Sequence, residues 1–229
     1  SQWAAALKEN LDMVVMFILV PLIGIPIQYG GYFSALQNVF LRYIKTNGKF
    51  YLLVSSVSAF LGVLINLATI PLVYQISKAS SISKNKKLLS CAMSRGFATV
   101  SIWAPTTAAI ALIMRLTGSE WTAFFPFGLA CGVICWLTGY IMTCLEERKT
   151  VAEAPETASE VSKEDVRKVI ELSVFGVALV VFITLVSHFA GIPTILVVSI
   201  ASLVYPLVWM AVIGKLPVLF AKFYSDYFS

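Results

Sequence analysis

The chain has 229 residues, of which 59% are hydrophobic and 13% are charged, and its formal net charge is +5. A soluble domain carries roughly a quarter charged residues, so this chain cannot cover a water-facing surface. The composition excludes a soluble globular enzyme, a disordered chain and a nucleic-acid-binding module. It predicts an all-α polytopic protein of the cell membrane, with lipid as a partner, in which the surplus of lysine and arginine reports topology.

Six stretches are long and apolar enough, or nearly so, to be membrane segments, because about 20 helical residues cross a bilayer core of ~30 Å. The first is broken by Pro21 and Pro26 and is too long for a signal peptide. The last two form a helical hairpin that turns at a glycine and a proline, 191 and 193. We expect about five transmembrane helices from the stretches 11–27, 50–74, 97–114, 124–145, 170–189 and 192–213.

Between the first two stretches, residues 32–45 have a different character. Apolar residues recur here at three- and four-residue spacing, with polar residues and Arg42 between them: Leu36, Val39, Phe40, Tyr43 and Ile44. This pattern predicts an amphipathic helix that lies in the membrane interface.

The basic residues of the loop 75–95 set the predicted topology. The loop contains no acidic residue, so the positive-inside rule places it in the cytoplasm. One span out and one span back then place the hydrophilic linker 146–168 in the cytoplasm as well. Within this linker, Ser162 and Asp165 have the spacing of a capping box for the helix that follows. The basic residues of the loop are Lys78, Lys84, Lys86, Lys87 and Arg95.

Stretch 50–74 does not fit a simple span. Such a span would place Arg42, Lys45 and Lys49 outside, against the charge bias, and the stretch is rich in serine, with Asn66 and Thr69. Both problems disappear if it is a re-entrant hairpin that enters and leaves on the cytoplasmic side. Its tip, near residues 64–68, then exposes backbone at membrane depth, which is tolerated only inside protein or beside water. A kinked span is the alternative.

Stretch 97–114 is interrupted by Trp103-Ala104-Pro105-Thr106-Thr107. Proline removes a backbone donor and frees carbonyl groups of the preceding turn. The threonines either satisfy these carbonyls, or they belong to a discontinuous helix whose ends hold a substrate or ion at the midplane. The second interpretation predicts a binding site that combines the hairpin tip with this break: Asn66, Thr69, Ser101, Pro105, Thr106 and Thr107.

Catalytic and metal chemistry have no support in the sequence. His188 is the only histidine, and the four cysteines contain no C-x-x-C pair, so we predict no metal site. Paired acids and nucleophile–base sets are missing from the apolar stretches, so we do not expect an enzyme. In stretch 124–145, Gly128 and Gly132 form a G-x-x-x-G motif, followed by Gly139, which predicts a helix-packing face.

The order of elements resembles the first inverted repeat of the ion transporter superfamily, in particular the divalent anion/sodium symporters and their arsenite-transporter-like relatives. That family has a hairpin tip of the form Ser-Asn-Thr-Ala-Thr, which Ile65-Asn66-Leu67-Ala68-Thr69 matches at three positions. Its Gly-Thr-Pro-Pro-Asn-like helix break matches here at Pro105 only. Residues 118–121 and 125–129 also look like the family's entry into the following span. The resemblance covers about residues 20 to 215, mostly in layout.

The resemblance implies a secondary transporter, or the first half of one, that moves a small organic or inorganic anion across the cytoplasmic membrane. It also implies a homodimer or a second transporter half as partner. Ile65 and Leu67 replace two hydroxyl residues that help to bind sodium in the family, so sodium or proton coupling stays open. Because only one hairpin-and-broken-helix unit is present, the alternative is a non-transporting scaffold subunit of a larger complex, built on a transporter half-fold.

The predicted organisation has four parts. A scaffold helix and the interfacial helix come first, a transport-like unit and a cytoplasmic linker follow, and a scaffold helical hairpin with an interfacial end comes last. Their bounds are 1–49, 50–145, 146–168 and 169–229.

Overall fold

The computed structural model describes residues 11, 14–16, 18–44, 46–66, 69–78, 80–147, 162–215 and 217. Helices and turns make up this described part, in which no strand occurs. A 3₁₀ turn, Val20–Gly24, precedes α1. The α-helices are α1 Ile25–Tyr29, α2 Tyr32–Tyr43, α3 Asn47–Ile65, α4 Thr69–Ser77, α5 Lys86–Trp103, α6 Ala108–Thr117, α7 Trp121–Glu147, α8 Lys163–Ala190 and α9 Thr194–Val212.

Within the described chain, four helices are long and apolar enough to cross a membrane: α3, α7, α8 and α9. A fifth crossing is added if the two helical segments on either side of Gly30 and Gly31, which meet at 70°, count as one. The protein is therefore an all-α polytopic membrane protein, as its composition predicts. The set of helices differs from the prediction. Helix α3 is long and apolar enough on its own, whereas α5 carries three basic residues and α6 has only ten residues, so both lie outside the set.

The predicted loop 75–95 is wrong in its second half. The side chain of Asn85 accepts a hydrogen bond from the Leu88 amide at 3.2 Å and so caps the start of α5. Lys86, Lys87 and Arg95 therefore lie on a helix. The hydropathy pattern misses this start because α5 begins with two lysines and carries Arg95, which interrupt the apolar run, whereas an asparagine cap is a local signal that does not depend on hydropathy.

The predicted linker 146–168 is too long at both ends. Helix α7 continues to Glu147, and α8 begins at Lys163. The predicted capping box is confirmed, since the Ser162 hydroxyl accepts from the Glu164 amide and the Asp165 carboxylate accepts from the Ser162 amide. The centre of the linker, 148–161, lies outside the described residues.

Helices α3 and α5 pack side by side in parallel. An added Cβ at Gly96 would lie 2.3 Å from the Ser55 carbonyl oxygen, and one at Gly62 would lie 3.1 Å from a Val100 methyl group. Residue numbers thus advance together along both helices, and Lys86 is level with the start of α3. The chain from α3 to α5 therefore leaves one end of the molecule and returns to it.

The turn of this hairpin stops well short of the opposite end of the molecule. It reverses direction at Asn66, whose φ of 48° is the left-handed value. The Asn66 amide contacts Thr106 in the helix break, and the ten residues of α6, about 15 Å of helix, still follow that break. Helices α3 and α4 thus form a hairpin whose two ends lie at the same end of the molecule. Its re-entry into the membrane from the cytoplasmic side stays a prediction.

Helix α7 runs antiparallel to α5 and packs on it through glycines, as predicted. A Cβ at Gly128 would lie 2.8 Å from the Ile102 carbonyl oxygen, and one at Gly132 would lie 3.2 Å from the Trp103 ring. Small residues allow this close approach. At the far end of α7, Glu146 forms an exposed ion pair with Lys87 at the start of α5, at 3.3 Å.

Helix α2, predicted as 32–45, ends at Tyr43 and is joined to α8 by hydrogen bonds. The Tyr32 hydroxyl donates to Glu171 Oε1 at 2.5 Å, and Asn38 Nδ2 donates to Asp165 Oδ2 at 3.1 Å. Trp209 Nε1 of α9 donates to the Tyr32 hydroxyl at 3.0 Å. The buried residues of α2, including Leu36, therefore pack on other parts of the protein. The 70° bend before α2 agrees with an interfacial helix.

Candidate functional site

The hairpin tip is held by the side chain of Asn66, a residue whose backbone conformation is unusual. Helix α3 ends at Ile65, and Asn66 has φ 48° and ψ −121°. A positive φ is uncommon outside glycine and persists where neighbouring contacts hold it. Here Asn66 Nδ2 donates to the Thr106 carbonyl at 3.2 Å. The next two residues of the predicted tip, 67 and 68, lie outside the described residues.

The helix break occupies residues 104–107, where the sequence places it. The Ala104 amide still bonds to the Val100 carbonyl at 2.8 Å, and the Thr107 hydroxyl donates to the Ala104 carbonyl at 2.9 Å. The Ala104 carbonyl also accepts from the Thr107 amide, so the Thr107 hydroxyl adds a second bond within this turn. The two interpretations of the threonines stay predictions. Pro105 is buried within this turn and shapes it.

Thr106 joins the break to the tip. Its hydroxyl donates to the Val63 carbonyl of α3 at 3.0 Å, while its own carbonyl accepts from Asn66. Thr106 is fully buried. These two bonds, which run in opposite directions across 40 or more residues of chain, bring the tip and the break together as predicted.

Three helix ends lie at this contact. Helices α3 and α5 end here and present carbonyl groups, whereas α6 begins here and presents amide groups. Residue 107 precedes α6 without capping it by a side-chain hydrogen bond. Because the start of a helix carries a partial positive charge and free amides, the start of α6 favours an anion.

Thr69, the first residue of α4, provides a further polar group at the tip. It is fully buried, and its hydroxyl has no hydrogen-bond partner among the described residues. A buried hydroxyl left without a partner costs about 1–3 kcal/mol. A ligand atom that bonds to Thr69 recovers this cost, so the hydroxyl is suited to binding.

Ser101 is the predicted site residue that the structure does not bring into the contact. It is half-buried on α5, before the break, and it shows no hydrogen bond to the tip or the break in the described chain. The prediction placed it by proximity in sequence. Ser101 lies three residues before Ala104, the first residue of the break, which is about 4.5 Å along the helix axis.

Trp121 is a contributor that the sequence analysis did not single out. Its indole Nε1 donates to the carbonyl of Trp103, the last residue of α5, at 2.9 Å. It thereby satisfies another carbonyl at the break, from the start of α7. The ring of Trp121 also packs on Phe125, with centroids 4.7 Å apart. A tryptophan just after a Gly-Ser-Glu turn was the available signal, but spacing alone does not connect it to residue 103.

The site carries no formal charge in the described segments that form it. Residues 63–66 and 104–107 are all neutral, as is Thr69. Of the described residues, no group of three or more histidine, cysteine, aspartate or glutamate side chains could hold a metal ion. Recognition here therefore depends on hydroxyl, amide and backbone groups.

The fold and this contact define a class, a polytopic α-helical membrane protein with a hairpin that meets a broken helix. The sequence matches no protein-family model, and no curated protein and no solved structure shows significant similarity to it. Its function is therefore argued from its own residues.

Proposed function

We propose that this chain is a secondary-transporter-like membrane protein, or the first half of one, that moves a small organic or inorganic anion across the cytoplasmic membrane. The observation that carries the proposal is the pair of hydrogen bonds between the hairpin tip and Thr106. Discontinuous helices that meet inside a membrane protein are the usual way in which transporters build a midplane site. The resemblance to the ion transporter superfamily, in Asn66, Thr69 and Pro105, supports the same proposal.

An anion fits the chemistry of this site better than a cation does. The start of α6 carries a partial positive charge beside the contact, and its first turn has backbone amides to donate. Thr106 and Thr107 already donate their hydroxyl protons to carbonyls, so the donors left for an anion are these amides and the Thr69 hydroxyl. The substrate class we propose is a small anion bound by amides and by Thr69, and either sodium or a proton is the coupling ion.

Uptake by reconstituted protein tests the proposal. Proteoliposomes that contain the full chain are given radiolabelled succinate or sulfate, as an organic and an inorganic anion, with a sodium or a proton gradient. We expect gradient-driven uptake that Asn66→Ala abolishes, because this change removes the bond that positions the tip. The matched control is Asn38→Ala, which removes an amide hydrogen bond of similar length, 3.1 Å, between α2 and α8.

Two outcomes contradict the site assignment: uptake at the wild-type rate in Asn66→Ala, or equal loss in Asn38→Ala. Folding of each variant is checked by its elution as a single species in detergent.

A second function is favoured by one feature of the same contact. Asn66 and Thr106 already bond to backbone groups of each other's segment, and such a closed contact stabilises a packed scaffold as well as a binding site. The alternative is therefore a non-transporting scaffold subunit of a larger membrane complex. It predicts no uptake of either anion in any gradient, together with a stable assembly between this chain and a defined second subunit.

A further inference from the structure

A cavity of about 610 Å³ lies between the α6–α7 turn and the α8–α9 turn. Its walls combine apolar side chains, such as Met114 and Leu196, with polar groups, such as Ser119 and Thr194, and with the acidic side chain of Glu120. A cavity of this volume and mixed lining is typical of a small-molecule site. It lies at the opposite end of the molecule from the Lys87–Glu146 pair, because α7 runs its full 27 residues, about 40 Å, between them.

Trp121 belongs both to this cavity and to the helix break. It lines the cavity. It is also only 1% exposed, and its indole donates to the Trp103 carbonyl at the end of α5. Phe125 packs between the two tryptophans, with ring centroids 4.7 Å from Trp121 and 5.8 Å from Trp103. An aromatic layer thus separates the cavity from the break.

The length of α6 between the helix break and the cavity gives the thickness of this layer. It begins just after Thr107 and reaches the cavity at Met114, so about 10 Å separates the two along the helix axis. Ile110 and Met114 form a buried cluster with Trp121 across this distance. The indole of Trp121 is therefore part of the buried cluster that lies between the cavity and the end of α5.

We propose that Trp121 closes the passage between this cavity and the helix break, and that the cavity is the vestibule through which a small anion reaches the site from this end of the protein. The inference rests on the proposed function in one respect, namely that the break is the destination. Rotation of one indole, held to the break by one hydrogen bond, opens the passage without disturbing the bonds of Thr106.

The test measures access to the break with a thiol reagent. Cys91, Cys131, Cys135 and Cys144 are replaced by alanine, and Thr107→Cys is the reporter. The probe is 2-sulfonatoethyl methanethiosulfonate, a small anion that does not cross membranes. It is applied to membrane vesicles on the side from which it labels Ser119→Cys in the cavity. Ser119→Cys also reports whether each variant keeps the cavity intact.

The decisive variants are Trp121→Ala and its matched control Trp136→Ala. Trp136 lies on the same helix, is half-buried and also donates its indole proton, to Ser55 Oγ at 2.8 Å, but it is remote from the cavity. We expect Trp121→Ala to speed labelling of Thr107→Cys at least about tenfold, or about 1.4 kcal/mol in activation free energy. Labelling in Trp136→Ala should keep the parent rate.

An unchanged rate in Trp121→Ala, or an equal increase in Trp136→Ala, overturns the proposal. If Trp121→Ala does not fold, Trp121→Phe decides, because it keeps a ring and loses the donor. Faster labelling than in the parent then supports the proposal, and an unchanged rate overturns it. Labelling requires no transport, so failure of this inference is distinct from failure of the uptake experiment.

Discussion

Two buried threonines at the candidate site differ in how their hydroxyl groups are satisfied. Thr106 donates to the Val63 carbonyl, whereas Thr69 has no partner among the described residues. The first therefore contributes to folding, and the second lowers stability. A side chain that is retained at a cost to stability is common at functional sites.

This difference predicts opposite effects on stability and function for Thr69→Val. The change keeps the shape of the side chain and removes the unsatisfied hydroxyl. The free energy of unfolding should therefore rise by about 1 kcal/mol, while anion uptake falls. Thermal unfolding in detergent and the uptake assay measure the two effects. The matched control is Thr99→Val, since Thr99 is also buried but donates to the Gly96 carbonyl at 2.7 Å, and its replacement should lower stability. A loss of stability in Thr69→Val contradicts the assignment.

At the scale of the elements, the hairpin was predictable because charge and polarity both argued against a simple span. Lys49 before it and Lys78 after it carry that information, and the structure returns the chain to its starting end. The start of α5 at Lys86 was not predicted, since Lys86, Lys87 and Arg95 were assigned to a basic loop. The side chain of Asn85 caps α5 and so sets where the helix begins. A search for membrane spans relies on hydropathy and gives little weight to such a cap.

Labelling of single cysteines tests the hairpin in the membrane. Lys49→Cys and Lys78→Cys, both at exposed positions, should react with an impermeant thiol reagent from the same side of the membrane. Ser119→Cys, at the start of α7, should react from the other side. Reaction of the first two from opposite sides contradicts a re-entrant hairpin and restores the kinked span.

The parallel packing of α3 and α5 depends on Gly96. A Cβ there meets backbone atoms of Ser55, which cannot rotate away. We expect Gly96→Ala to destabilise the protein by about 1–3 kcal/mol, as overpacking does, measured by thermal unfolding. Ala98→Val adds methyl groups at an exposed position of the same helix and should change stability little. Equal effects of the two changes contradict the close contact.

At the scale of the whole molecule, composition predicted the class, and local chemistry predicted most of the site. Asn66, Thr106 and Thr107 were placed from a helix breaker and from polar residues inside apolar stretches. Trp121 was missed because its contact with Trp103 links two helices through a turn, a tertiary relation that residue spacing does not contain. Ser101 has no hydrogen bond to the tip or the break in the described chain, and its part in the site stays a prediction.

The central claim is that the hairpin tip and the helix break form one anion-binding site. Equilibrium binding of radiolabelled succinate and sulfate to the purified full chain tests it most directly. We expect one of these anions to bind saturably to the wild type and to Asn38→Ala. Its affinity for Asn66→Ala should be at least about tenfold lower, which is about 1.4 kcal/mol in binding free energy. Binding of equal affinity in Asn66→Ala, or no saturable binding of either anion to the wild type, would contradict it.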